Sequence, residues 1–215
     1  MKRKLIELWK NSFILKWVDN HYTKKFLKKL ENDNFTILCS NCVGGIIYHR
    51  AKKKFLSPTI NMFFSQPDFV EFCLHLDEYL HEKLCFIEND MGHPVATLGD
   101  DVSLKKIKLY FNHAKTEDEA NNDWEKRKQR IDRDNLYIML YNLDGITIDE
   151  IKKLENVKCN NKIVLTATPL PEISWSYQIE PVMTHKYPSN YLERDMFNRF
   201  YLEKVFDVPG FLNKK

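Results

Sequence analysis

The sequence predicts an α/β fold: a three-layer α/β/α arrangement with a mixed, largely parallel central sheet and a basic N-terminal helix. Three observations predict it. Short β-rich runs alternate with stretches of helical period along most of the chain. The composition, 43% hydrophobic and 29% charged, is that of an ordinary globular protein. Three strand-like runs between 84 and 111 follow one another with no helix between them, which requires antiparallel pairing in that region. At 215 residues the chain is long enough for one well-buried core, so a single α/β domain over 1–215 is expected, with a helical segment at 1–31 and the core at 35–205.

The strand candidates are 35–39, 60–64, 84–87, 95–98, 106–111, 136–141, 163–167 and 178–182, all rich in β-branched or aromatic residues. Helix is expected over 43–53 and over 67–81, where Phe69, Phe72, Leu76 and Tyr79 fall on one face. A third helix, 116–130, opens with Thr116 three residues before Glu119, the spacing of a capping box. Stretches 148–154 and 191–205 complete the set.

Residues 1–30 carry nine Lys and Arg against Glu7 and Asp19. Ile6, Trp9, Phe13 and Trp17 recur there at helical spacing, so the segment reads as a basic amphipathic helix, bent near Asn20. Its aromatic stripe is expected to pack on the core with the lysines in water; a peripheral contact with an anionic membrane is the alternative. Charges interrupt every apolar run, so neither a secretory signal nor a membrane span is expected. Five cysteines without an export signal point to reduced thiols and a cytoplasmic setting. A net charge of +3, with acidic residues interrupting the basic run 126–133, does not argue for nucleic acid.

The strongest local signal is the strand ending at Cys39, followed by Ser40-Asn41-Cys42-Val43-Gly44-Gly45 and a helix. Such a loop turns backbone N–H groups and a positive helix end outward at the carboxyl edge of a sheet, where an anion fits and where open α/β sheets bind ligands. It meets neither the dinucleotide nor the P-loop spacing, and the two glycines serve equally for close helix packing. Cys39 and Cys42 stand at Cys-x-x-Cys spacing, but the first falls in the strand, and no second ligand pair at metal spacing accompanies them. No metal site is expected, and no cofactor is specified. His113, at a strand end, is a candidate general acid or base; Asp100, followed by Asp101, is a second, although adjacent acids after Gly99 more often make a solvated turn. Arg127 and Arg130, one helical turn apart beyond Trp124, can offer planar donors to phosphate or carboxylate, or form surface ion pairs. Loops at Asn142, Asp144 and Gly145, and at Thr166 to Pro169, open at the same edge if their strands run parallel to the first.

Ser-Asn-Cys-Val-Gly-Gly-Ile-Ile-Tyr at 40–48, Ser-Pro-Thr-Ile-Asn-Met-Phe-Phe at 57–64 and His-Pro-Val-Ala-Thr-Leu-Gly-Asp at 93–100 follow one another, and then come His113, Glu119-Ala120, Trp124, Arg127, Arg130, Ile131 and Asp134-Asn135. In that order of blocks the chain resembles the bacterial family called domain of unknown function nineteen-nineteen, over about 35–167. Members often carry the label exopolysaccharide biosynthesis protein, with no established mechanism. Ala96 stands where the pattern usually has Gly, His93 where it usually has an aromatic residue, and Cys39 is outside it.

The resemblance implies a protein of surface-polysaccharide assembly. The first expectation is an enzyme of transferase type that binds a phosphorylated or nucleotide-linked sugar. In it Ser40, Asn41, Gly44, Gly45, Tyr48, Ser57, Thr59, Arg127, Arg130 and Asn135 line the ligand, Trp124 stacks on a sugar face, and His113 or Asp100 moves a proton. The second is a non-catalytic glycan-binding or scaffold protein using the same crevice. Separation of His113, Asp100 and Asn41 in space would remove the main support for the first.

Overall fold

A computed structural model describes residues 13–142, 146–179 and 202–214. Strands β1 (Thr36–Cys39), β5 (Leu136–Asn142), β6 (Asn161–Thr166) and β7 (Ser176–Gln178) form a fully parallel sheet in the order β1-β5-β6-β7. Strands β2 (Cys85–Ile87), β3 (Val95–Leu98) and β4 (Ile107–Tyr110) form a separate antiparallel sheet in sequence order. The α/β layering is therefore present, and the antiparallel strands make their own small sheet instead of joining the parallel one. One bridge, between Phe63 and Tyr110, links the chain beside β1 to β4.

Alternation along the parallel strands explains the layers. Leu38, Ile138, Leu140 and Val164 face one side. There they pack with α3 (Gln66–Leu74), α4 (Leu76–His81), α5 (Glu117–Lys128), α6 (Ile148–Lys152) and the antiparallel sheet. Ile37, Cys39, Tyr137, Met139, Tyr141, Ile163 and Leu165 face the other side. They pack with α1 (Phe13–Lys29), α2 (Val43–Ala51), α7 (Leu202–Val205) and α8 (Val208–Leu212). Both faces are covered, so the strands read as continuous apolar runs.

The expected helix over 67–81 breaks at His75 (φ −117°, ψ 40°) into α3 and α4. Ser65 caps α3 through the Asp68 N–H, and Tyr79 of α4 is buried with its hydroxyl donating to Lys105 O at 2.6 Å. Thr116 caps α5 as expected, but the Glu119 carboxylate accepts from Lys115 N instead of Thr116 N. The complete capping box lies at Thr147 and Glu150. Helix α1 runs unbroken through Asn20. Ile6, Trp9, Asp144 and Gly145 lie outside the described residues, as does most of the helix expected at 191–205; the strand expected at 178–182 is described only to Ile179.

Among the described residues β1 is an edge strand, and its outer edge is closed by side chains and by one backbone N–H. The Tyr48 hydroxyl donates to Phe35 O (2.7 Å) and accepts from Ile37 N (3.3 Å). Thr59 Oγ1 accepts from Cys39 N (3.0 Å), and Phe64 N donates to Ser40 O (3.1 Å). The strap 55–64, which turns at 58–61 and so does not form the strand expected at 60–64, is thereby laid along β1. Arg127 and Arg130 fix its back by donating to Ile60 O (2.9 Å) and Phe55 O (3.3 Å). Gly44 and Gly45 let α2 press onto it: a Cβ at Gly45 would lie 2.8 Å from Asn61 Oδ1 and 3.2 Å from the Ile60 side chain.

Two further ties hold the helical layer. Arg50, buried on α2, donates to Glu203 (2.6 and 3.0 Å), Asp19 (2.8 Å) and Thr23 (2.7 Å), joining α1, α2 and α7. Asn213 accepts from Glu31 N and Asn32 N and donates to Lys29 O, clasping the C-terminal segment to the α1–β1 junction.

Replacing Tyr48 by Phe leaves the buried Ile37 N–H and Phe35 carbonyl without their hydroxyl partner. An orphaned buried polar group costs about 1–3 kcal/mol, so Tyr48→Phe is expected to lower urea-unfolding stability by that order with an unchanged m-value.

Candidate functional site at the carboxyl edge of the sheet

β1, β5 and β6 run in one direction, so the chain leaves Cys39, Asn142 and Thr166 at one edge. The strand order advances without reversal, so the described sheet has no switch point, and the strap and the turn after β4 flank this edge instead. Cys42 Sγ lies 3.5 Å from Asn112 Nδ2, which brings the 40–43 turn against the Phe111–Ala114 turn. Asn112 and His113 occupy its corner and are exposed. Beside it Phe63 and Tyr110 stack at 4.4 Å with ring planes 3° apart, and His93 sits edge-on to Phe63 at 6.4 Å. His93 Nε2 is buried without a hydrogen-bond partner among the described residues.

The 40–45 loop itself is filled by the chain's own groups. Asn41 Oδ1 accepts from Val43 N (3.0 Å) and from the Cys39 thiol (3.3 Å), so its carboxamide occupies the helix end where an anion was expected. Burial pushes the Cys39 thiol up to about 12 and raises that of Cys42 as well, so neither is a ready thiolate. Ser40 is buried, its hydroxyl accepting from Tyr141 N (3.0 Å).

Most of the other expected ligand residues are structural. Tyr48, Ser57 and Thr59 are fully buried and belong to the closure of β1, with Ser57 Oγ accepting from Thr59 N (3.2 Å). Gly44 and Gly45 serve packing. Trp124 is 1% exposed, with its ring 6.1 Å from Phe72 in the core, and cannot stack on a sugar face. Arg127 is spent on Ile60 O and Asp123, and its guanidinium lies over the Phe55 ring at 5.3 Å; Arg130 donates to Phe55 O. Asn135 donates to Asp132 (3.1 Å) in the 3-10 turn before β5.

Asp100 is not paired with His113. Val95 faces Tyr110 and Leu98 faces Ile107, so Asp100 follows one end of the β3–β4 hairpin and His113 the other. A strand rise of about 3.3 Å per residue sets them on the order of 10 Å apart or more. Asp100 accepts from Val102 N (2.8 Å), Ser103 N (2.9 Å) and Leu104 N (3.2 Å), and these bonds hold its carboxyl below the usual carboxylate range. It is a turn anchor, ionised throughout the range in which a proton carrier must alternate. Phe63, Tyr110 and Asn112 were not singled out from sequence; the Asn112-His113 pair at a strand end was the one available signal.

Among the described residues no three His, Cys, Asp or Glu side chains are grouped to hold a metal ion, and no helix is long and apolar enough to cross a membrane. A cavity of about 330 Å³ lies elsewhere, between α1 and the segment from Glu203 to Pro209.

Two outcomes follow from this electrostatic picture. Because the folded state depresses the Asp100 pKa, its stabilising contribution is present above the unfolded value near 3.9 and is lost as pH falls through the folded one. The acid limb of stability below about pH 4 should therefore be shallower in Asp100→Ala than in the unsubstituted chain, as read by thermal unfolding against pH. With a thiol reagent at pH 7.5, exposed Cys85 should react first, while buried Cys39 and Cys73 react only on unfolding, as read by peptide mapping.

A protein of Haemophilus influenzae (strain ATCC 51907 / DSM 11121 / KW20 / Rd), described as an uncharacterized protein, is 33% identical over 153 residues, which cover 71% of each chain. The family model described as Domain of unknown function (DUF1919) matches residues 14–213. On that match, which spans nearly the whole chain and both of its sheets, the chain belongs to the DUF1919 family.

Proposed function

We propose that this protein binds a sugar-bearing ligand at the carboxyl edge of its parallel sheet, in the assembly of a bacterial surface polysaccharide, and that it does so as a glycan-binding protein. The observation that supports this reading is the meeting of the Asn41–Cys42 and Asn112–His113 turns, 3.5 Å apart at Cys42 and Asn112, beside the Phe63–Tyr110 stack. Carboxamide and imidazole groups exchange hydrogen bonds with hydroxyls in both directions. Half-buried aromatic rings supply an apolar face for the ring carbons of a sugar. The arginines expected to hold phosphate are occupied by backbone carbonyls, which favours the neutral hydroxyls of a glycan over a phosphorylated or nucleotide-linked sugar.

A second reading, a transferase acting on such a sugar, is favoured by the exposure of His113 at the edge where parallel sheets place their ligands. It assigns His113 the proton transfer alone, without Asp100.

The test is a thermal-shift and calorimetric comparison of bacterial oligosaccharides, nucleotide sugars and sugar phosphates. A ligand at a hundred times its Kd stabilises the native state by about 2.7 kcal/mol, a shift of several degrees. Asn112→Ala should weaken binding about fivefold to tenfold, the loss of one net hydrogen bond, without changing the melting temperature of the free protein. Turnover of a nucleotide sugar that disappears in His113→Ala selects the transferase. Absence of any shift, or a shift that both variants leave intact, overturns this site.

A further inference from the structure

Helix α1 holds the body of the protein with one face only. Leu15, Thr23 and Phe26 are buried, Phe26 against the core of the helical layer, and Arg50 reaches Asp19 and Thr23 from α2. The opposite face is open to solvent along the helix. At its N-terminal half it presents Phe13 (82% exposed), Ile14 (56%) and Trp17 (63%), with Trp17 stacked on His21 at 6.0 Å. The same face continues with Lys24, Lys25 and Lys28, all exposed, and Lys16 flanks the aromatic end. The expectation that the aromatic stripe packs on the core is thus overturned at Phe13 and Trp17: the core-facing side of the helix is taken by Leu15, Thr23 and Phe26, which lie off that stripe.

We propose that this face of α1 docks on an anionic lipid bilayer, with Phe13, Ile14 and Trp17 entering the headgroup–acyl boundary and the lysines meeting the lipid phosphates. The commitment to lipid rests on charge and on the kind of surface exposed. Besides Lys29, which pairs with Asp207 at 3.5 Å, α1 carries Lys16, Lys24, Lys25 and Lys28 against Asp19, as much as the whole chain's net charge of +3. The carboxylate of Asp19 is already engaged by Arg50. A second copy of the chain meeting this face about a two-fold axis would set lysines against lysines. Nucleic acid would satisfy the lysines but would leave Phe13 and Ile14 with no hydrocarbon to enter. An anionic bilayer offers both, and an indole beside basic side chains suits the headgroup level. This proposal is independent of the ligand site at the carboxyl edge.

The experiment is co-sedimentation of the full chain with vesicles of neutral phosphatidylcholine or of phosphatidylcholine with 30% phosphatidylglycerol, at low and high salt. The expected result is binding to the anionic vesicles only, falling with added salt, and accompanied by a blue shift of tryptophan emission that is missing in Trp17→Ala. Phe13→Ser combined with Trp17→Ser should reduce partitioning at least tenfold, and Lys24→Glu with Lys28→Glu at least as much, since each lysine near such a surface contributes about fivefold. All four positions are exposed, so the melting temperature should not move, and this separates lost binding from lost folding. Equal binding to neutral vesicles, no binding to either, binding that survives both double variants, or a salt-sensitive complex with duplex DNA in place of vesicles overturns the proposal. So does a concentration-dependent dimer that Trp17→Ser abolishes.

Discussion

An edge strand in a parallel sheet leaves half of its N–H and C=O groups without a ladder, and burying them unpaired would cost more than most domains can spare. Here β1 stands at that edge inside the protein, and it is completed by hydroxyl oxygens and by one backbone N–H. Tyr48 reaches over from the helix that β1 itself feeds, and Thr59 and Phe64 come from the strap. Much else follows from that closure. The strap must lie close, so α2 carries glycines where it crosses; the strap's own carbonyls must be met, so arginines of the α5 region turn inward; and the strap's end must continue outward, so Phe63 bridges to β4 and draws the small sheet against the large one.

This constraint explains why the residue blocks that stand out in the sequence look functional. Ser57, Thr59, Tyr48, Arg127 and Arg130 are polar groups in a regular order, as ligand contacts would be, but their partners are atoms of this same chain, mostly of its backbone. Polar specification of an edge and polar recognition of a substrate use the same residue types. Periodicity separates neither; only knowledge of what lies beside β1 does.

The fold itself was largely legible. Alternating runs located the strands of both sheets to within a few residues, and the cap at Thr116 marked the start of α5, because these signals are local. What was not legible depends on contacts distant in sequence. The placing of the small sheet against the large one rests on the Phe63–Tyr110 bridge, the burial of Trp124 on Phe72, and the exposure of Trp17 on which side of α1 the body happens to meet. For the candidate site, His113 and Asn41 were visible as polar residues at strand ends. Their neighbours Asn112, Phe63 and Tyr110 came into view only once the strap and the β4 turn were seen to converge.

The clasp made by Asn213 gives the molecule a particular relation to its own synthesis. The residues that seat the α1–β1 junction are Lys29, Glu31 and Asn32, and the side chain that meets all three stands near the far end of the described chain. In chain order α1 and β1 precede β5, the clasp and the Glu203 partner of Arg50, so they are synthesised before the contacts that hold them. The basic helix and the edge strand are therefore seated by partners as many as 184 residues away, and holding them carries the loop-closure cost of contacts that distant in sequence.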